Sequence, residues 1–185
     1  MTDQTTHLQL PGYNSIHHNR KGKIGGGIGL YARTQWQITT LATSDPIFDN
    51  NPEYINTELR HKSHIILIAV VYRRPDAASP TDFFETLSPY LGIYKNIIIT
   101  GDFNADLQSP RSPDTRNLSE IVESHALSFV SRSPTHHRFQ TTHQSHTTLN
   151  LFITKKIAAY HLFFTTIITF RHSFSYTTTT RPPRV

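Results

Sequence analysis

The chain has 185 residues, enough to bury one real core, so a single compact domain is expected. Eighteen Lys and Arg against thirteen Asp and Glu give a formal charge of +5, which suits a polyanionic partner, although many soluble domains carry as much. The lack of cysteine excludes disulfides and thiolate metal sites; the polar N-terminus holds no apolar signal core, and the apolar run 158–170, broken by His161 and threonines, is too short for a bilayer span, so an intracellular protein, nuclear or cytoplasmic, is expected.

In chain order, the first two dozen residues are polar and basic. Residues 28–36 and 37–41 read as strands, and the Asp, Asn and Pro of 44–52 read as a loop. Alternation over 54–59 suggests a half-exposed strand, whereas 64–72 is nearly continuous in Ile, Leu and Val and reads as a buried central one. Pro80 suits the first turn of a helix capped by Ser79; Phe83, Phe84, Leu87 and Leu91 recur at helical spacing, and Gly92 ends the run. Ile97 to Ile99 form a short β-branched strand, 110–114 a loop, and Leu118, Ile121, Val122 and Ala126 a second amphipathic helix. Short strands follow at 127–130 and 148–154. The alternation of strand and helix is an α/β pattern. After Thr154 the texture turns to Thr, His, Phe and Arg, so the expected organisation is a domain over 1–154 and a poorly ordered tail over 155–185.

The chemistry-bearing stretch is Thr100-Gly101-Asp102-Phe103-Asn104-Ala105, directly after the Ile-rich strand. Gly101 frees the backbone where the strand stops, and Asp102 and Asn104 then lie at the carboxyl edge of a sheet, where α/β enzymes place their chemistry. Their spacing of two points both side chains the same way if the extended conformation persists. A carboxylate beside an amide suits activating a water and hydrogen-bonding a phosphate oxygen. Turn chemistry after a strand accounts for the same four residues equally well.

The surrounding segments favour the chemical reading. Gly101-Asp102-Phe103-Asn104 after its strand resembles the signature of the endonuclease/exonuclease/phosphatase superfamily, and more narrowly the endonuclease domain of non-LTR retrotransposon polyproteins. Leu10-Pro11-Gly12-Tyr13, the glycine-led strand Gly25 to Arg33, Tyr72-Arg73-Arg74-Pro75, Ser133-Pro134-Thr135 and the segment from Ser145 to Thr154 resemble further family segments in the same order. The resemblance implies two facing β-sheets flanked by helices, a four-layer α/β/β/α sandwich, and Mg²⁺-dependent hydrolysis of DNA phosphodiesters. It implies that Asp102 orients or deprotonates the attacking water, that Asn104 holds the scissile phosphate and that Tyr72 points its hydroxyl into the phosphate site. Arg73 and Arg74 stand at the same edge and could pair with phosphate oxygens, although exposed arginines beside a turn are commonplace.

Measured against the family, the chain reads as truncated at both ends. The strands carrying the family's first Asn and its metal-anchoring Glu are expected before Met1, which leaves Glu58 as a stand-in metal ligand or else a surface glutamate. Asn150 stands where the family has an aspartate that pairs with a terminal histidine; a comparable Asp-to-Asn change in a catalytic triad costs about 10⁴ in turnover. The nearest histidine in order is His172, without the Ser-Asp that should precede it. The expectation is therefore an endonuclease with impaired or absent catalysis. The alternatives are a dead remnant that binds nucleic acid through its basic face, or a phosphatase or DNA-repair nuclease of the same superfamily. Two further patterns carry less: Gly27-x-Gly29-x-x-Ala32 matches a dinucleotide fingerprint without the strand before it or the helix after it. His136, His137, His143 and His146 have zinc-like spacings but lie in a polar loop without carboxylates.

Overall fold

The computed structural model describes residues 9–22, 27–47, 49–130, 136–139, 144–147, 150–155 and 167–171. Its elements in chain order are β1 (Tyr13–His18), β2 (Ile28–Arg33), β3 (Gln37–Thr43), β4 (Glu53–His61), β5 (His64–Tyr72), α1 (Thr81–Leu91), β6 (Ile97–Asp102), α2 (Pro113–Ser124), β7 (Ser128–Phe129), β8 (His136–Phe139), β9 (Gln144–Thr147), β10 (Asn150–Thr154) and β11 (Ile167–Arg171). They form a six-stranded sheet ordered β3-β4-β5-β6-β10-β7, a three-stranded sheet ordered β1-β2-β11, and a separate β8-β9 hairpin.

Side-chain alternation on β5 builds the layers. Ile66, Ile68, Val70 and Tyr72 face one way, toward Ile28, Leu30 and Ala32 of the smaller sheet, with Ile55 and Leu59 of β4 beside them. Leu67, Ala69 and Val71 face the other way, where Ile97, Ile99, Leu151 and Ile153 join them beneath Phe83, Phe84, Leu87, Leu118 and Val122 of the helices. Both faces are covered, which is why β5 reads as an unbroken apolar run. The fold is thus α/β, two facing sheets with helices packed on the larger one. Helix α1 is the crossover between β5 and β6, which run parallel.

Several local expectations are corrected. The segment 54–59 is not half-exposed: Ile55, Asn56 and Thr57 are buried, because β3 and β5 flank the strand and both faces are packed. Ser79 does not cap α1; Pro80 holds the cap position without a side-chain bond, and the Ser79 hydroxyl donates to Asn117 Oδ1 of α2 at 2.7 Å. Helix α2 starts at Pro113, inside the expected loop, because Ser112 Oγ accepts from Thr115 N and Pro113 suits the first helical position. Ala126 lies beyond that helix in a left-handed conformation, φ 54°. Strand β11 falls within 155–185 and pairs antiparallel with β2, Ile167 opposite Ala32. No described helix is long and apolar enough to cross a membrane.

Candidate active site

Strand register assembles the site. Glu53 of β4 pairs with Tyr72 of β5, Tyr72 with Asp102 of β6, and Asp102 with Asn150 of β10. Four polar positions therefore form one row across the six-stranded sheet, at the carboxyl ends of the parallel strands β5 and β6.

Gly101 makes the row possible. Its φ is +150°, and a Cβ built there would lie 1.8 Å from the carbonyl oxygen of Val71. Only glycine lets β6 approach β5 this closely at its last turn. The extended conformation does not persist past Asp102: Asn104 adopts φ 47°, a left-handed geometry that Asn tolerates better than most residues. The turn is closed by two hydrogen bonds of Asn104, one from its backbone and one from its side chain. Asn104 N donates to Asp102 Oδ1 at 3.0 Å, and Asn104 Nδ2 donates to the carbonyl of Arg73 at 2.6 Å. Arg73 N in turn donates to the carbonyl of Asp102 at 2.8 Å. The ends of β5 and β6 are thereby locked into one partly exposed edge that offers a carboxylate and an amide.

Arg73 turns out differently from a phosphate-pairing role. The guanidinium of Arg73 is buried and donates to the carbonyls of Ala78 (2.8 Å), Ala77 (3.0 Å) and Phe103 (3.2 Å) and to Asp114 Oδ1 (2.8 Å). It is an internal strut that holds the loop after β5 to the start of α2. Arg74 reaches sideways to Asn50 Oδ1 at 3.2 Å and to the exposed Asp76 at 3.5 Å.

Glu58 lies away from the row. Its register partner on β5 is Leu67, which pairs with Ile97 at the start of β6, so about 17 Å of strand separates it from Asp102. Its carboxylate is engaged by Arg60 and by the hydroxyl of Tyr94 at 2.8 Å; burial and that carboxylate push the Tyr94 phenol up to about 12. Asn150 occupies the position opposite Asp102. His172 and His143 lie outside the described residues, whereas His136, His137 and His146 fall on the β8-β9 hairpin, with His137 opposite His146. Gly29 and Ala32 lie inside β2, a strand where a dinucleotide fingerprint needs a helix.

Among the described residues, no group of three or more His, Asp and Glu could hold a metal ion. Mg²⁺ takes one or two protein carboxylates and keeps several waters, and the carboxylates of the row are Asp102 and Glu53, the latter held by Arg20.

Two residues of this end were not singled out from the sequence. Glu53 opens the row, and Arg20, just after β1, donates Nε to its Oε1 at 2.7 Å and directs Nη2 to the same oxygen. The signal for Glu53 was present: β4 and β5 are joined by the two-residue turn Lys62-Ser63, and counting back from it pairs residue 53 with residue 72. Nearby, Ser44 Oγ accepts from Tyr54 N and lies 3.0 Å from His18 Nε2. Burial lowers the His18 pKa below the ordinary imidazole value, against the pull of Glu53 and Asp45.

The sequence profile of the family described as "Endonuclease-reverse transcriptase" matches residues 66–175, more than half of the chain. The chain belongs to this endonuclease–reverse transcriptase family. The matched stretch contains Tyr72, Asp102, Asn104 and Asn150, and it runs through β11. Among solved structures, the endonuclease domain of TRAS1, a telomere-specific non-LTR retrotransposon, is similar with a TM-score of 0.58 and 13% identity, over 78% of this chain and 67% of that one. The human Nocturnin catalytic domain with bound sulfate gives 0.54 and 16%, over 78% and 61%. An endonuclease/exonuclease/phosphatase family protein from Bacteroides thetaiotaomicron gives 0.50 and 17%, over 79% and 60%. At these identities the likeness is one of fold, and the chain spans between 60% and 67% of the length of these structures. No curated protein sequence matches. Membership of the endonuclease–reverse transcriptase family supports phosphate-ester hydrolysis of nuclease or phosphatase type as the general chemistry of the fold.

Proposed function

We propose that this chain is a DNA endonuclease of non-LTR retrotransposon type whose hydrolysis is held low by the amide at residue 150. The supporting observation is the hydrogen-bonded Asp102–Asn104 pair, set at the carboxyl edge of the sheet in register with Tyr72 and Asn150. Asp102 orients the attacking water and takes up its proton, which a carboxylate at a partly exposed edge can do. Asn104 spends one amide hydrogen on the Arg73 carbonyl and turns the other toward a phosphate oxygen, with Tyr72 as a second donor. Position 150 lies opposite Asp102, and an amide there supplies no charge to stabilise an imidazolium.

Nicking of supercoiled plasmid in Mg²⁺ buffer tests the reading. Slow nicking that disappears in Asp102→Ala supports it. A wild-type rate equal to that of Asp102→Ala removes hydrolysis.

The second reading is a DNA-binding remnant without turnover. It is favoured by the formal +5 charge. It expects DNA affinity that survives Asp102→Ala and falls steeply with salt.

A further inference from the structure

The row of polar positions has a cation beside it that does not come from the six-stranded sheet. Arg20 follows β1 of the smaller sheet, whereas Glu53 opens β4 of the larger one, so their ion pair bridges the two sheets at the site end. The same junction is fastened by the backbone, where Lys21 N donates to the carbonyl of Pro46 at 2.7 Å, and by the contact of His18 with Ser44. Beyond Glu53, the guanidinium carbon of Arg20 lies 6.0 Å from the centre of the Tyr72 ring, within cation–π range.

The chemistry of the pair is unusual for a stabilising ion pair. Both side chains are largely buried, yet Nε and Nη2 of Arg20 converge on one oxygen, Oε1. The other oxygen, Oε2, is buried without a hydrogen-bond partner. A fork-to-fork arrangement would have used both oxygens. An ion pair that strands a buried oxygen is a poor source of stability compared with two apolar side chains. What it does provide is a fixed guanidinium against Tyr72, next in register to Asp102. Arg73, by contrast, is consumed by three carbonyls and Asp114, and Arg74 turns toward Asn50 and Asp76.

We infer that Arg20, gripped by Glu53, is a positioning residue for Tyr72 that fixes the phenol ring at the edge where a DNA phosphodiester binds. The inference rests on the phosphodiester reading of that edge. Arg20 acts through Tyr72 and is not itself placed on the substrate.

The experiment uses the full chain labelled with 3-fluorotyrosine, the Tyr72 resonance being assigned by its loss in Tyr72→Phe. Fluorine spectra are recorded with and without a double-stranded oligonucleotide, for the wild type, for Arg20→Lys and for the double variant Arg20→Gln/Glu53→Gln. The double variant removes both charges together, so no lone buried charge remains to unfold the protein. The wild type is expected to give one narrow Tyr72 line that moves on adding DNA. The double variant is expected to give a broadened or split line and to lose that movement, while the Tyr94 line stays in place. Arg20→Lys, which keeps the charge but not the fork, should recover part of the response. Plasmid nicking by the double variant should fall about tenfold, chiefly in turnover and not in apparent KM. A double variant whose Tyr72 line and DNA response match the wild type overturns this inference alone. A wild-type Tyr72 line that ignores DNA overturns the site reading and this inference with it.

Discussion

Single residues decide whether this edge can do chemistry. Gly101 is the least replaceable, because a Cβ there meets the Val71 carbonyl at 1.8 Å and its φ is +150°. Gly101→Ala should cost roughly 3 kcal/mol or more, measured by urea unfolding, from backbone strain and overpacking together. Asn150→Asp tests the opposite position: placing a carboxylate across from Asp102 should raise plasmid nicking by about tenfold or more, a fraction of what the same exchange costs in a triad. An unchanged rate in that variant would mean residue 150 does not limit hydrolysis. Arg73 shows where reading a sequence fails. Its place beside Tyr72 left a phosphate contact or an exposed turn arginine open, and the side chain is buried instead, because adjacency along a strand end says nothing about which way a long side chain turns. The turn that brings Asn104 N onto the Asp102 carboxylate was legible because Gly-Asp-x-Asn carries its own local geometry. The Arg20–Glu53 pair was not, because its partners are brought together only by two sheets facing each other.

At the scale of elements, β5 and β6 were plain in the sequence because strands covered on both faces must be apolar throughout. Strand β4 misled, since its polar alternation implied a wet face that the fold does not leave open. Asn56 is fully buried on it, and neither its amide oxygen nor its amide nitrogen has a hydrogen-bond partner. A buried amide left unpaired costs about 1–3 kcal/mol, so Asn56→Leu should raise the unfolding free energy by about 1 kcal/mol or more, read from the denaturation midpoint. The strut role of Arg73 predicts that Arg73→Lys destabilises the loop after β5 by roughly 2 kcal/mol, since an ammonium cannot reproduce four divergent contacts. The DNA affinity of that variant, measured under conditions where it stays folded, should remain that of the wild type.

The whole molecule responds to pH through the junction of its two sheets. Burial holds His18 below the ordinary value of 6.5, so the unfolded chain takes up its proton more readily than the folded one. The contribution of His18 is therefore fully present above pH 6.5 and is lost as the pH falls through the lowered folded value. Thermal unfolding followed from pH 7.5 to 5 should show this loss, and His18→Phe should flatten it, while a slope unchanged by that substitution assigns the loss to other groups. We propose that 155–185 does not behave as a dispensable tail, because β11 lies in it and pairs with β2. That pairing has a consequence for biosynthesis. While the polypeptide emerges from the ribosome, β2 has, among the described strands, β1 alone to bond with until residues 167–171 have been made, and its other flank offers an unmatched ladder of amide and carbonyl groups to any neighbouring nascent chain. The half-made protein is the hazardous species, and β11 is the strand that closes off that flank.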